Sequence, residues 1–557
     1  MPLTRLILWP LAALLVGCAS LPDDSVSTVR FMAAERALDA GEYRLAADEY
    51  RKAALASDDP ETARAAADIC FEFGRRETTL SVLDRWEALE PNAPDPWLLR
   101  GRLALRQTDA DTASDSFGAF VELARSPYMD RDRAFERLGN VLLGESNQRL
   151  ALDVAERLAE RHSADWRAYR MVSQVALRRD DLTRSLEAAE RAFELAPDSF
   201  DAAMLQAQAI VLGGDRTAGL EFAESIADNG MSTEQQLDYA RFLSTSDAVD
   251  DAVRIVDDVL ESQPDNADAL QARAILDLRN GELDVAWERF SQLAAKPSHR
   301  HDSLFFLGNI AERRGRTEQA RRIYTQIGEG PNAIIAQQRI SALLFAGGDT
   351  EGAFDQLNRY SRAHPAKGFA LQLTRAQLYR ELGQHDAAIE IYDAMLDVRP
   401  EAEGLKLTRA EALLASGDVK GAIKQYRATL RDHPDSALSL NALGYTLADR
   451  TERYDEAYGL IVRALELEPN NAAIIDSMGW VEFKLGRYEA ALEHLERAWD
   501  LIKDPEVAAH LGETLWQLGE RERAREVLKE AYDRNPDSIP LRRTLERLLE
   551  QDARVES

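Results

Sequence analysis

The chain has 557 residues, 68 of them basic and 97 acidic, for a formal net charge of −29. That balance repels phosphate backbones and argues against nucleic-acid binding. Only two cysteines are present, too few for a disulfide-stapled scaffold.

At the N-terminus, Met1 to Thr4 is nearly neutral, Arg5 adds one positive charge, and Leu6 to Val16 is apolar apart from Pro10. The apolar run has 11 residues, whereas a helix crossing a hydrocarbon core needs about 20. A charged start, a short apolar core and small residues at its end predict a secretory signal over residues 1–17. Its last part, Leu15-Val16-Gly17-Cys18, resembles the lipobox of bacterial lipoproteins, against the plainer reading of an ordinary signal with a chance cysteine. The resemblance implies that Cys18 is lipidated and becomes the first residue of the mature chain. Several acyl chains exceed the two-signal requirement for stable anchoring. Ala19 and Ser20, standing where inner-membrane retention usually has Asp, imply an outer-membrane location facing the periplasm. Residues 18–30 would then be the lipidated cysteine and a short tether. Cys70 lies in an apolar helical context and reads as a buried, inert thiol.

Beyond the tether the sequence repeats itself, which displaces the three or four globular domains its length would suggest. Pro264, Pro297, Pro331, Pro365, Pro400, Pro434 and Pro469 recur at gaps of 33 to 35 residues. Small residues keep the same interval at Gly308, Ala342, Ala376, Ala410 and Gly444, then Gly479 and Gly512. Large aromatics follow at Phe290, Tyr324, Tyr392 and Tyr426. A period near 34 without strand-like alternation predicts stacked helical hairpins. Glycine inside a helix costs about 1 kcal/mol relative to alanine, so its recurrence points to close approach of a partner helix. Proline cannot continue a helix and closes each unit. Turn stretches such as LGQHDAA (Leu382–Ala388), SGDVKGA (Ser416–Ala422) and LGRYEAA (Leu485–Ala491) put glycine at one helix end and acid at the next start.

These positions resemble the tetratricopeptide repeat. Gly479 and Ala491 fall on its two small packing positions and Ala498 on a third, with Tyr392 and Tyr426 on the large position of the second helix. The resemblance implies an all-α, right-handed superhelical solenoid of about 15 hairpins. Residues 265–536 match well; residues 31–264 keep the spacing but lose signature residues. Ile539–Asp552, within a terminal segment 537–557, supplies the solvating cap helix such arrays require. Without a Gly/Ser linker after Val29, the array reads as continuous.

No nucleophile elbow, Walker loop, dinucleotide fingerprint or zinc-protease motif occurs. The protein reads as a non-enzyme without cofactor. His162, His364 and His433 sit near unit ends, where they can cap helix carbonyls. His299 and His301 lack a carboxylate or cysteine at ligand spacing, so they read as loop residues rather than a metal site.

In tetratricopeptide arrays the first helix of each hairpin lines the binding surface. Carried onto this sequence, that surface holds Asn441 and Tyr445, then Asp476, Trp480 and Phe483, then Glu513 and Trp516. If the tryptophans are exposed anchors, Trp480→Ala with Trp516→Ala weakens partner capture and leaves melting unchanged; if they fill space between repeats, melting collapses. The family's peptide-carboxylate clamp cannot be assembled. Arg313, Arg314, Arg316, Arg321 and Arg322 form a candidate basic docking patch, against the reading of a solvated turn.

The lipobox, the long array and the segment Leu443–Ala498 resemble outer-membrane tetratricopeptide lipoproteins that serve as adaptors for a periplasmic carboxyl-terminal processing protease. That likeness implies binding and activating the protease and bringing it substrates such as peptidoglycan-cleaving hydrolases. The alternative is an assembly or secretion scaffold for pili, exopolysaccharide or outer-membrane proteins, where shorter arrays are usual.

Overall fold

The computed structural model describes residues 23–124, 130–145, 147–227 and 230–555. The lipobox and Cys18 fall outside them. The described residues form 31 α-helices, one short 3-10 turn at Pro297–His299 and no β-strand. Thirty-one helices are the number that fifteen hairpins and a last single helix require, and the sequence implies about fifteen hairpins. The first helix is Asp23–Asp39, so residues 23–30 of the expected tether are helical. None of the described helices is long and apolar enough to cross a membrane.

The chain divides into two compact units, Met1–Leu103 and Ala104–Ser557. The division falls within the helix Asp95–Leu105 and not at 264/265, where the sequence changes character. In the first unit, helices Asp23–Asp39, Tyr43–Leu55, Pro60–Phe73 and Arg76–Leu89 each pack on the next. Their core is built from small side chains, with Ala46, Ala53, Ala66 and Cys70 fully buried. The Cys70 thiol donates to the Ala47 carbonyl at 3.3 Å, and burial pushes its pKa up to about 12. A thiol so placed stays protonated and inert.

In the second unit each helix again packs on its successor, and first helices of neighbouring hairpins also touch. The recurring glycines sit where two helices close on each other. A Cβ added at Gly308 would lie 2.3 Å from the Tyr324 ring, at Gly444 2.6 Å from Ile461, at Gly479 2.5 Å from Leu495, and at Gly512 2.7 Å from Leu528. The partner side chain occupies the volume that the missing Cβ leaves, which offsets the low helix propensity of glycine. A polar contact closes several hairpins beside this packing. Tyr324 Oη donates to Glu312 at 2.7 Å, His494 Nδ1 to Glu482 at 2.8 Å, and Arg289 to the fully buried Asp277.

Between the helices of most pairs, one residue adopts a left-handed backbone. Gly417 (φ 91°) shows the reason: Asp418 N–H reaches back to the Leu413 carbonyl at 2.8 Å, a turn that terminates the helix. The same slot is filled by Asp180 (φ 60°) and Asp247 (φ 64°) in the N-terminal repeats. The turn geometry therefore survives where the glycine signature is lost, at a local cost of about 1–2 kcal/mol. Several first helices start from side-chain caps: Asn266 accepts from Ala269 N–H, Ser436 from Ser439 N–H, and Asn471 from Ala473 and Ile474 N–H.

Two expectations are corrected in detail. Pro365 does not close a unit but is the first residue of helix Pro365–Glu381, where a missing N–H costs nothing. The rings of His162 and His433 do not cap carbonyls: each residue caps through its backbone N–H, and each Nε2 is buried without a partner. The final helix, Ile539–Val555, acts as the expected cap, burying Leu541 and Leu548 against Leu511, Leu515 and Leu528.

Candidate functional site

The predicted face comes from three consecutive first helices, Ala437–Arg450, Ala472–Lys484 and Pro505–Gln517, followed by the cap helix. Stacking at one hairpin per repeat brings residues one period apart into register. Asp476 and His510 are 34 residues apart, and His510 Nδ1 donates to both Asp476 carboxylate oxygens at 3.0 and 3.1 Å. On the other side Trp480 stacks on the His510 ring at 4.1 Å and 18°, and on Phe483 at 5.0 Å and 4°. Phe483 continues to Tyr488 at 5.4 Å. Lys484 Nζ lies 4.4 Å from the Trp480 ring centre, a cation–π contact.

Tyr445 reaches further. Its hydroxyl donates to Glu506 at 2.6 Å, joining residues 61 apart and so spanning from the first of these helices to the third. Its ring lies 6.2 Å from His510. Glu513 is tied to the cap, accepting from Thr544 Oγ1 at 3.1 Å and pairing with Arg547. Trp516 is half-buried with Arg521 and Arg525 over its ring at 5.3 and 5.9 Å. Asn441 is half-buried, and its Oδ1 has no hydrogen-bond partner.

Trp480 matches the second of its two readings, filler between repeats and not exposed anchor. It is 6 % exposed, because His510, Phe483 and Lys484 cover it. Its indole nitrogen is also buried without a partner. The residues that sequence reasoning missed are Glu506 and His510. The spacing held a signal for His510, since a histidine one repeat after an aspartate at an inward position faces it across the seam.

Burial alone would lower the His510 pKa, but the Asp476 carboxylate, with Glu506 and Glu513 beyond it, outweighs burial and holds it above the ordinary histidine value. The hydrogen bond to Glu482 likewise raises His494. For a histidine raised on folding, the stabilisation is fully present below the unfolded pKa, about 6.5, and is lost as pH rises through the folded value. The C-terminal repeats are therefore expected to melt at higher temperature at pH 6 than at pH 9. His510→Gln is expected to flatten this dependence in thermal melts, and an unchanged slope counts against the pair.

The five arginines of the candidate basic patch do not form one open surface. Arg314 lies over the Trp287 ring at 5.2 Å and pairs with Asp284, Arg321 pairs with Glu318 at 2.7 Å, and Arg322 Nε donates to the Glu318 carbonyl at 3.2 Å. Arg313, Arg316 and Arg322 remain exposed. Among the described residues no group of three or more His, Cys, Asp or Glu is arranged to hold a metal ion. His299 sits in the 3-10 turn and contacts Asp268 at 3.1 Å.

The Tetratricopeptide repeat family matches residues 379–443 and 482–549 in one form and 136–199 and 271–334 in another. A TPR repeat-containing protein of Pseudomonas aeruginosa is 37 % identical over 209 residues, covering 38 % of this chain and 35 % of its own length. The chain thus spans about a third of the curated relative it matches. The crystal structure of yeast Tom70 is similar at 15 % identity and a TM-score of 0.42, covering 76 % of this chain and 96 % of that one. A thermophilic TPR protein of Thermus thermophilus is similar at 22 % identity and a TM-score of 0.30, covering 32 % of this chain and 99 % of its own. Neither structural likeness is close enough to bear on function. Repeat matches thus fall in both halves of the chain, and its described residues have the all-helical repeat architecture that those matches describe.

Proposed function

We propose that this protein is a membrane-anchored scaffold that binds other proteins through the first-helix face of its C-terminal repeats. Within that role it acts as adaptor and activator of a periplasmic carboxyl-terminal processing serine protease and brings it cell-wall hydrolases. The observation that carries the protein-binding reading is the gathering of Tyr445, Phe483, Glu506, Glu513 and Trp516, half-buried or exposed, on three successive first helices over the buried Asp476, Trp480 and His510. Aromatic and charged groups mixed in this way supply the anchors of protein interfaces. The protease reading rests on the likeness of Leu443–Ala498 and on the length of the array. Anchoring rests on the lipobox sequence ending at Cys18, and a lipid tether would raise the effective concentration of both partners at one membrane.

Affinity purification of the full protein from cell envelopes, with partners identified by mass, tests this. Recovery of a serine protease of the processing class is the expected result. Recovery only of pilus or export components would replace the adaptor role with an assembly scaffold.

A further inference from the structure

The charge of this chain reverses over a stretch that lies outside the three first helices described above. Residues 356–380 hold four arginines and one lysine and no aspartate or glutamate, in a chain with 97 acidic residues among 557. Two of these cations have partners: Arg375 donates to Gln372 at 3.0 Å, and Arg380 pairs with Glu411 at 3.4 Å. Arg359, Arg362 and Lys367 have no hydrogen bond or ion pair from their side chains among the described residues.

Both free arginines belong to the helix Thr350–Ala363, which buries Ala353, Leu357 and Tyr360. At about 3.6 residues per turn, Asp355, Arg359 and Arg362 fall on the opposite side, and all three are exposed. With Ala363 they line a cavity of about 470 Å³. Residues three apart on a helix are neighbours, so the two guanidiniums stand side by side in that cavity. Each offers a planar fork that grips a carboxylate or a phosphate through two parallel hydrogen bonds. Asp355, one turn before Arg359, repels an anion from the other end and leaves the arginine end to receive it.

We propose that this cavity is a second docking point, on the outer side of a second helix, and that it takes an acidic segment of a partner protein. Two neighbouring carboxylates of the segment meet Arg359 and Arg362, one each. Charge complementarity selects this occupant over a broad anionic surface. A short segment feels chiefly the charges within a Debye length, about 8–10 Å, where the two arginines outnumber Asp355. An extended anionic surface meets the net charge of −29 as well, which opposes its approach. The inference rests on the protein-binding reading of this chain, and it adds a surface away from the first-helix face together with the chemistry that surface recognises.

Two acetylated, amidated hexapeptides are the probes, identical but for four glutamates in one and four glutamines in the other. Isothermal titration with the full chain is expected to show binding of the glutamate peptide alone, weakening as salt is raised. Arg359→Gln with Arg362→Gln, two exposed changes facing away from the core, is expected to weaken binding at least tenfold and leave the thermal melt unchanged. Arg313→Gln with Arg316→Gln removes the same charge at exposed positions outside the cavity and is expected to leave binding unchanged. Equal binding of the two peptides, indifference to the Arg359 and Arg362 changes, or an equal loss with the Arg313 and Arg316 changes each overturns the proposal. Inorganic phosphate binding more tightly than the glutamate peptide at the same two arginines also overturns it, by making this a phosphate site. Partner recovery from envelopes separates the two readings. If Arg359→Gln with Arg362→Gln recovers the same partners undiminished, the scaffold stands and the second docking point falls; if the glutamate peptide binds at the arginines but no partner is recovered, the reverse holds.

Discussion

Replacing Trp480 with alanine is expected to destabilise the C-terminal repeats by about 3–5 kcal/mol, the range for deleting a buried large aromatic. The ring is 6 % exposed and is contacted by His510, Phe483 and Lys484 from two first helices. Its removal leaves a cavity at the seam between two hairpins and takes the stacking partner from a histidine already committed to Asp476. Trp516→Ala should cost much less, about 1 kcal/mol, because that ring is only half-buried and its arginine contacts are solvent-facing. Hydrogen exchange along Ala472–Lys484 and Pro505–Gln517 is the measurement of choice, since a long repeat array need not melt in one step. Accelerated exchange confined to these helices and their neighbours is the expected result. Native-like protection in Trp480→Ala would return the ring to the role of a surface anchor.

Gly479→Val should destabilise the same repeats by about 3 kcal/mol. A Cβ there meets Leu495 at 2.5 Å and the backbone carbonyl of Ala491 at 3.1 Å. Leu495 is fully buried and has nowhere to retreat, so the helices must move apart, the usual cost of overpacking. Gly459→Ala is the internal control. Gly459 lies within the helix Tyr454–Leu467, is exposed, and a Cβ would meet nothing within 4 Å. There alanine should stabilise by up to about 1 kcal/mol from propensity alone. Opposite signs at two helical glycines 20 residues apart would separate packing from propensity; matching signs would refute the close-approach account of the repeat.

The 34-residue interval and its small residues were enough to give helices, hairpins, their number and the cap, because each repeat must bury the same face against its neighbour. Gly308 and Tyr324 illustrate this: both are conspicuous in the sequence, and each is the reason for the other. The N-terminal repeats were harder to see because Asp180 and Asp247 hold the turn conformation that glycine advertises elsewhere. The break at 103/104 had no composition shift to announce it.

The candidate face divides along the same line. Periodicity determined which residues lie on the first-helix surface, since that depends only on helix phase and repeat register. The depth of each side chain, and its partner, were left to tertiary structure. Trp480 is buried where the sequence left anchor and filler both open, Arg314 is spent on Trp287 and Asp284, and Tyr445 meets a glutamate 61 residues away. Those outcomes depend on the spacing and tilt between neighbouring hairpins, which long side chains measure in ångströms and a one-dimensional repeat does not record.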